Sequence, residues 1–298
     1  MKKEIENMLI KNVPISKEPT LKTGNAKFDK WFSKDDGMVL RSSIYLSGTS
    51  GAGKTTLAVN IMNYLKDTPT CLYEREMTST AVKQQTSNLK ISHNNAYILD
   101  KKSCNHFSVF LQKLNEIKPT VIFVDSLQAI AIDDFPEMTE DAACAYIVSA
   151  LREWIEDNNA ILFIFGHNNK EGEFAGKYRN MQFCDAHIEM IYDEQTDTRI
   201  MRWGKKNRKG PMGTLYYIFG ELGIEFFTPS EWEARKTDRN FPEYIATMIQ
   251  SYASTLKSKE AKKDYNTGIK RFRKLTDSSE FIKNLLSLML ELSEKYDI

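Results

Sequence analysis

Gly48-Thr49-Ser50-Gly51-Ala52-Gly53-Lys54-Thr55 decides how the rest of the chain is read. The run fits G-x-x-x-x-G-K-[ST], follows the apolar Ser43-Ile44-Tyr45-Leu46 and precedes the helix-forming Leu57-Ala58-Val59-Asn60-Ile61-Met62. Strand, glycine-rich loop and helix in that order make a phosphate-binding loop (P-loop). The glycines let the backbone wrap closely and turn successive N–H groups toward phosphate, while the helix behind them offers the positive end of its dipole. Gly48, Ser50, Gly51, Ala52, Gly53, Lys54, Thr55 and Thr56 are therefore the expected nucleotide cradle. Lys54 is expected to reach the β- and γ-phosphates and the Thr55 hydroxyl to ligate Mg²⁺, so ATP and Mg²⁺ are the expected cofactors.

Working outward, 298 residues suffice for one large α/β domain with a small appendage and need no disulfide or metal staple. Cys71, Cys104, Cys144 and Cys184 are far apart and never form C-x-x-C, which argues against a zinc knuckle. Lys and Arg number 41 against 40 Asp and Glu, so any nucleic-acid contact must come from local patches. No apolar run is long enough to span a membrane, and the opening Met1-Lys2-Lys3-Glu4 precedes too short an apolar run for a signal peptide. A soluble, cytoplasmic protein without a membrane partner is expected.

Strand-like and helix-like runs alternate after the P-loop, which predicts an α/β fold with a mostly parallel twisted sheet and helices on both faces. Strands are expected at 70–73, 96–99, 120–125 and 160–165, with the first of these beside the P-loop strand. Ala142, Tyr146, Ile147, Ala150, Leu151, Trp154 and Ile155 recur at helical spacing and predict a covering helix over about 140–157. From His187 the texture changes to short strands at 187–192, 198–203, 214–219 and 224–227, expected as antiparallel additions at one sheet edge. Past Trp232 the pattern is helical, with one amphipathic helix over 241–252 and another opened by a capping box of Asp277 with Glu280. Between them the basic run from Lys257 to Lys274 reads as a solvated helix face or a nucleic-acid patch. The expected organisation is an amino-terminal extension at 1–19, a core at 20–230 and a helical carboxyl-terminal region at 231–298.

A P-loop needs a carboxylate to hold Mg²⁺ through water, and Asp125, ending a buried apolar strand, suits that Walker-B role. Hydrolysis also needs a base near the γ-phosphate. Glu76 is the candidate and Glu74, two residues earlier in the same strand exit, its competitor. His167 follows a long buried strand and should emerge at the carboxyl edge, where it senses the γ-phosphate or caps the strand. His93, His106 and His187 read as surface or core residues. Lys205-Lys206-Asn207-Arg208-Lys209-Gly210-Pro211 reads as a basic turn whose like charges call for an anion nearby.

These separated motifs resemble, in order, those of the RecA-type ATPases, in particular the RadA/Sms repair proteins and DnaB replicative helicases. Thr23-Gly24, Phe28-Asp29 and Gly37 resemble the RadA lead-in, Glu76-Met77-Thr78 the Glu-Met-Ser motif of DnaB, and Val124-Asp125-Ser126-Leu127-Gln128 the RadA Walker B. Gly166-His167-Asn168-Asn169-Lys170-Glu171-Gly172 with Ala175-Gly176 is similar to the RadA motif G-H-x-x-K-E-G…A-G. Lys206-Asn207-Arg208-Lys209-Gly210 is similar to K-N-R-F-G, and its continuation through Pro211, Gly213, Thr214 and Phe219 to the DnaB pattern K-x-R-x-G-P-x-G-T.

The resemblance covers roughly residues 20–228. It implies a RecA-like P-loop NTPase core, with Glu76 as catalytic carboxylate and Lys206 and Arg208 reaching the γ-phosphate of the neighbouring subunit. It also implies a loop after Gly166 that contacts single-stranded DNA, here with Lys170, Lys177, Tyr178 and Arg179, and Phe183 for stacking. A hexameric ring or filament acting on single-stranded DNA in replication, recombination or repair is the expectation. No counterpart of the RadA zinc finger or Lon-like domain, or of the DnaB amino-terminal domain, is expected within these 298 residues, and the carboxyl-terminal helical region is expected to offer a docking element for a protein partner. Asp133, Asp134, Glu137, Glu140 and Asp141 form an acidic segment that would oppose DNA phosphate in a central channel. Two other readings stay open: an ATP-gated assembly switch resembling KaiC, and a DNA-stimulated ATPase that loads another helicase.

Overall fold

The computed structural model describes residues 18–34, 36–49, 51–167, 183–194, 198–207, 213–220, 223–235, 252, 256–272 and 278–296. The apolar lead-in folds as an antiparallel ribbon of β1 (Thr20–Leu21) and β2 (Met38–Val39), with α1 (Ala26–Phe32) between them. Asn25 caps that helix by accepting from the Phe28 N–H. There follow β3 (Ser42–Gly48), α2 (Lys54–Tyr64), β4 (Thr70–Glu74), α3 (Ser79–Gln85), β5 (Ala96–Asp100), α4 (Phe107–Ile117), β6 (Val121–Asp125), α5 (Leu127–Asp134), α6 (Glu140–Asn158) and β7 (Ile161–His167). The sheet is completed by β8 (Ala186–Asp193), β9 (Thr198–Asn207), β10 (Thr214–Gly220) and β11 (Gly223–Phe227).

All nine larger strands join one sheet in the order β11-β10-β9-β8-β3-β7-β6-β4-β5. Pairing is parallel from β8 through β3 to β5 and antiparallel from β8 through β11. Every residue of β3, β4 and β6 is buried, which is why these strands read as continuous apolar runs.

Two expectations about pairing are corrected. β4 does not lie beside the P-loop strand; β7 and β6 stand between them, and β4 pairs with β6. The strand at 187–192 is not an antiparallel addition to the sheet, because β8 runs parallel to β3 and only its other edge begins the antiparallel wing. In both cases the neighbour is chosen by long-range burial that local patterning does not encode.

One face of the sheet carries Ile44, Leu46, Phe123 and Phe163 in a cluster with Phe28, Trp31 and Phe32 of α1, Leu57 of α2 and Trp203 of β9. There Trp31 stacks on Trp203 with centroids 5.1 Å apart. The other face gathers Tyr73, Ile122 and Val124 against α4, α5 and α6 through Phe110, Ile130, Ile147 and Leu151. All four cysteines are free and buried in this second cluster.

The chain divides at Pro229 and Ser230 into two compact units. Within the second, α7 (Lys259–Phe272) and α8 (Ser278–Tyr296) pack through Ala261, Tyr265, Ile269, Leu285 and Leu292. Asp264 ties the pair further, to Lys295 at 2.7 Å and to the Tyr296 hydroxyl at 2.8 Å. The helix expected over 241–252 and the cap at Asp277 lie outside the described residues, apart from Tyr252. Among the described residues no helix is long and apolar enough to cross a membrane, and no group of three or more His, Cys, Asp or Glu side chains is arranged to hold a metal by itself.

Candidate nucleotide site

The site is built where β3 stops. Gly48 ends the strand, and a Cβ there would stand 2.6 Å from the Met190 carbonyl oxygen of β8, so only glycine lets the two backbones meet. Gly51 and Gly53 hold φ of 80° and 94°, the left-handed region that side chains rarely enter. The Tyr217 hydroxyl of β10 donates to the Ala52 carbonyl and pins the loop from the far side.

Lys54 opens α2 and is buried, its Nζ donating to the carbonyls of Gly48 at 2.8 Å and Thr49 at 3.3 Å. Burial lowers its pKa, against the opposing fields of Asp125 and Glu76. Thr55 Oγ1 donates to Asp125 Oδ2 at 2.9 Å, so hydroxyl and Walker-B carboxylate meet across 70 residues of sequence. These groups line a cavity of about 310 Å³ with Gly51, Gly53, Thr56, Glu76, Met77, Gln85 and Phe219.

Glu74 and Glu76 fall into different environments. Glu74 is the last residue of β4, in register with Asp125 on β6, and is buried. Its Oε1 accepts from the N–H groups of Glu76 at 2.8 Å and Met77 at 2.9 Å, while its buried Oε2 has no partner. Burial, helped by the Asp125 charge, raises its pKa to about 8, so it stays largely protonated at neutral pH. The strand has ended by Glu76, which is exposed and lines the cavity. The strand alternation that made Glu74 a competitor therefore stops before it can act.

The remaining sequence-derived residues divide by position. β7 ends at His167, in register with Gly48 on β3. Lys206 falls within the last residues of β9, which runs to Asn207, so the basic stretch read as a turn begins as strand. Ser50, Lys170, Lys177, Tyr178, Arg179 and Arg208 lie outside the described residues. His187 is a core residue, hydrogen-bonded to Ser47 at 2.7 Å, and burial lowers its pKa to about 4. His106 caps α4 by accepting from the Ser108 N–H.

Phe219, Met77 and Gln85 were not among the expected cradle residues. Met77 and Phe219 each carried a signal, Met77 as the middle of the Glu76-Met77-Thr78 motif and Phe219 as an aromatic at the end of the motif that begins at Lys206. The Phe219 ring lies against Gly53, where an added Cβ would be 2.5 Å away, and the Arg199 guanidinium sits 4.9 Å from its centroid and 3.8 Å from that of Tyr192. Within the acidic segment, Asp133 and Asp134 pair with Arg75 at 3.1 and 2.7 Å.

Residues 44–190, just under half of the chain, match the family model described as "ATPase family associated with various cellular activities (AAA)". The DNA repair protein RadA of Streptococcus pyogenes serotype M3 is 27% identical over 199 residues, 65% of this chain and 43% of that protein. RadA of Haemophilus influenzae is 25% identical over 216 residues, covering 71% and 45% respectively. The chain thus spans less than half the length of the curated relatives it matches. Among solved structures, a KaiC-like protein from Pyrococcus horikoshii OT3 superposes with a TM-score of 0.60 at 16% identity, over 71% of this chain and all of that one. The chain carries a RecA-like P-loop ATPase domain distantly homologous to RadA.

Proposed function

We propose that this P-loop ATPase domain belongs to an ATP- and Mg²⁺-dependent motor that acts on single-stranded DNA in replication, recombination or repair, in the cytoplasm, as a ring or filament with hydrolysis at subunit interfaces. One observation carries the hydrolytic part: Lys54, the Thr55–Asp125 pair and Glu76 line a single cavity. The cavity suits a magnesium nucleotide, because two glycines at positive φ turn the loop around it and a buried ammonium is held, among the described residues, by the backbone carbonyls of Gly48 and Thr49. Thr55 and Asp125 would hold the metal, which supplies neutralisation of phosphate charge.

Glu76 orients a water and accepts its proton, and Lys54 leaves the carbonyls of its own loop for the phosphates. Phe219, with the Arg199 guanidinium over its ring, walls the cavity beyond Gly53 and suits the flat face of a base. His167 acts as a sensor at the carboxyl edge. Lys206 and Arg208 complete a neighbour's site in trans, and Lys170, Lys177, Tyr178 and Arg179 engage the strand. The helical region from residue 231 serves as a docking element. Support for DNA as the partner comes from two sides: the homologous proteins are named DNA repair proteins, and Arg75 neutralises two of the acids that would have repelled phosphate. A nucleotide-gated assembly switch that needs no DNA is the second reading, favoured by the exposed Glu137 and Glu140.

The test is the ATPase rate with and without single-stranded DNA, at about 50 and about 200 mM salt, the range over which phosphate contacts weaken steeply. Stimulation that fades with salt, and that is lost when Lys170, Lys177 and Arg179 are replaced together, supports the motor. Salt-independent turnover with no DNA binding by anisotropy in the presence of an ATP analogue and Mg²⁺ supports the switch.

A further inference from the structure

Arg75 stands between the two glutamates of the β4 exit, and neither the cavity nor the motifs account for it. Its side chain is fully buried and leaves the backbone between them. Nη2 bonds Asp134 Oδ1 at 2.7 Å and Asp133 Oδ2 at 3.1 Å, while Nη1 donates to the Tyr73 hydroxyl at 2.9 Å and the Cys104 carbonyl at 3.1 Å. Asp134 is committed as well, its Oδ2 accepting from the Phe107 N–H at 2.7 Å at the start of α4. The Arg75 backbone N–H donates to the Asp125 carbonyl at 2.6 Å.

These bonds close a mechanical circuit. Asp125 ends β6, Ser126 caps α5, α5 ends at Asp134, Asp134 grips Arg75, and Arg75 is followed directly by Glu76. On the opposite side Glu74 accepts from the N–H groups of residues 76 and 77. The peptide that carries Glu76 is therefore pinned from both sides, and one pin is a helix that begins beside Asp125.

We propose that Arg75 is a positioning residue: through Asp134 and α5 it fixes Glu76 relative to Asp125, and so sets the rate of hydrolysis without contributing to nucleotide binding. The inference rests on Glu76 being the base. A buried ion pair is a weak device for stability compared with an apolar side chain of the same volume. Geometry is what this one supplies, since its bonds end on β6, α4, α5 and the segment that leads into α4, and a displacement of about 1 Å at a catalytic group costs on the order of a hundredfold in rate.

The experiment uses the full chain and three readouts. Arg75→Lys keeps the charge but loses the fork, and Arg75→Met removes both; each is made alone and with Glu76→Gln. The expected result is a kcat at least roughly tenfold lower, with the affinity for a non-hydrolysable ATP analogue within about twofold, and a smaller loss for lysine than for methionine. In the Glu76→Gln background the same substitutions cost less than about twofold, because the residue they act through is already gone. Amide exchange at residues 75–77 rises in both variants, a readout independent of turnover. Should Arg75→Met fail to fold, Arg75→Lys carries the test.

Unchanged exchange together with unchanged kcat overturns the proposal. So does a rate loss that repeats in full in the Glu76→Gln background, which marks a merely structural role. Raised exchange in a chain where Glu76→Gln retains full activity leaves the latch standing and removes the assignment of the base.

Discussion

The two faces of the sheet solve different problems with different materials. The face beneath α1 and α2 is dry and aromatic, with Phe28, Phe32, Phe163 and a Trp31–Trp203 stack, and the nucleotide cavity opens at its carboxyl edge. The face beneath α4, α5 and α6 holds all four cysteines and the Arg75 side chain with its two aspartates. Neighbouring residues of one strand exit serve both, since Glu74 alternates onto the face of Leu72 while the Arg75 side chain bonds Tyr73 and Asp134 on the other. On the proposed reading, chemistry is assembled on one side, and the frame that keeps its parts in register is bonded on the other.

The largest expected effect tests that division directly. Asp134→Ala takes the buried carboxylate from the Arg75 guanidinium, leaving it only the partly exposed Asp133, and should cost up to about 3–5 kcal/mol by urea unfolding, most of it returned when Arg75→Met is added. Leu57→Ala on the dry face should cost a comparable sum, about 2–5 kcal/mol, which no second polar substitution restores. If Asp134→Ala is not rescued, the two faces do not differ in the way described.

Next, Lys54→Ala should abolish nucleotide binding in a fluorescence titration. Glu76→Gln should bind nearly normally and turn over at a rate lower by about a hundredfold or more. A dead Glu74→Gln beside an active Glu76→Gln would transfer the base to the buried carboxyl. Gly53→Ala forces a side chain to φ of 94° and toward the Phe219 ring, so a loss of about 1–2 kcal/mol in thermal stability and weaker nucleotide binding are expected.

The smallest effect is a slope. In the folded chain Glu74 keeps its proton up to about pH 8, whereas its ordinary value is 4.5. Between those values the folded state binds more protons than the unfolded one, so stability falls as pH rises through the window. Glu74→Gln should flatten that fall. Urea midpoints of both proteins across the window check it, and parallel curves would place the Glu74 carboxyl in a wetter setting.

How much of this was legible beforehand follows from sequence distance. The P-loop, its flanking strand and helix, and the apolar β6 leading to Asp125 are local patterns, and they folded as read. The neighbour of β4 was misread because parallel pairing is decided by burial across long crossovers, where every buried strand resembles every other. Nothing local singles out Arg75, because its carboxylate partners are 58 and 59 residues away. Phe219 belonged to a quoted motif, yet only the antiparallel wing folding back brings it to Gly53. Strand alternation alone put the two glutamates on one face, and the end of β4 at Glu74 is what separates them, since the alternation rule holds only inside a strand.

The position of β3 also dictates when, during synthesis, a working site can exist. Both of its hydrogen-bonding neighbours, β7 and β8, are encoded after residue 160, although the loop it supports is finished by Thr55. A nascent chain that has emerged only as far as α6 carries an apolar strand with two open edges, the kind of surface that recruits chaperones or other chains. The nucleotide loop is thus translated early and assembled late, and ligand can reward the fold only once Ile161 and Ala186 have left the ribosome.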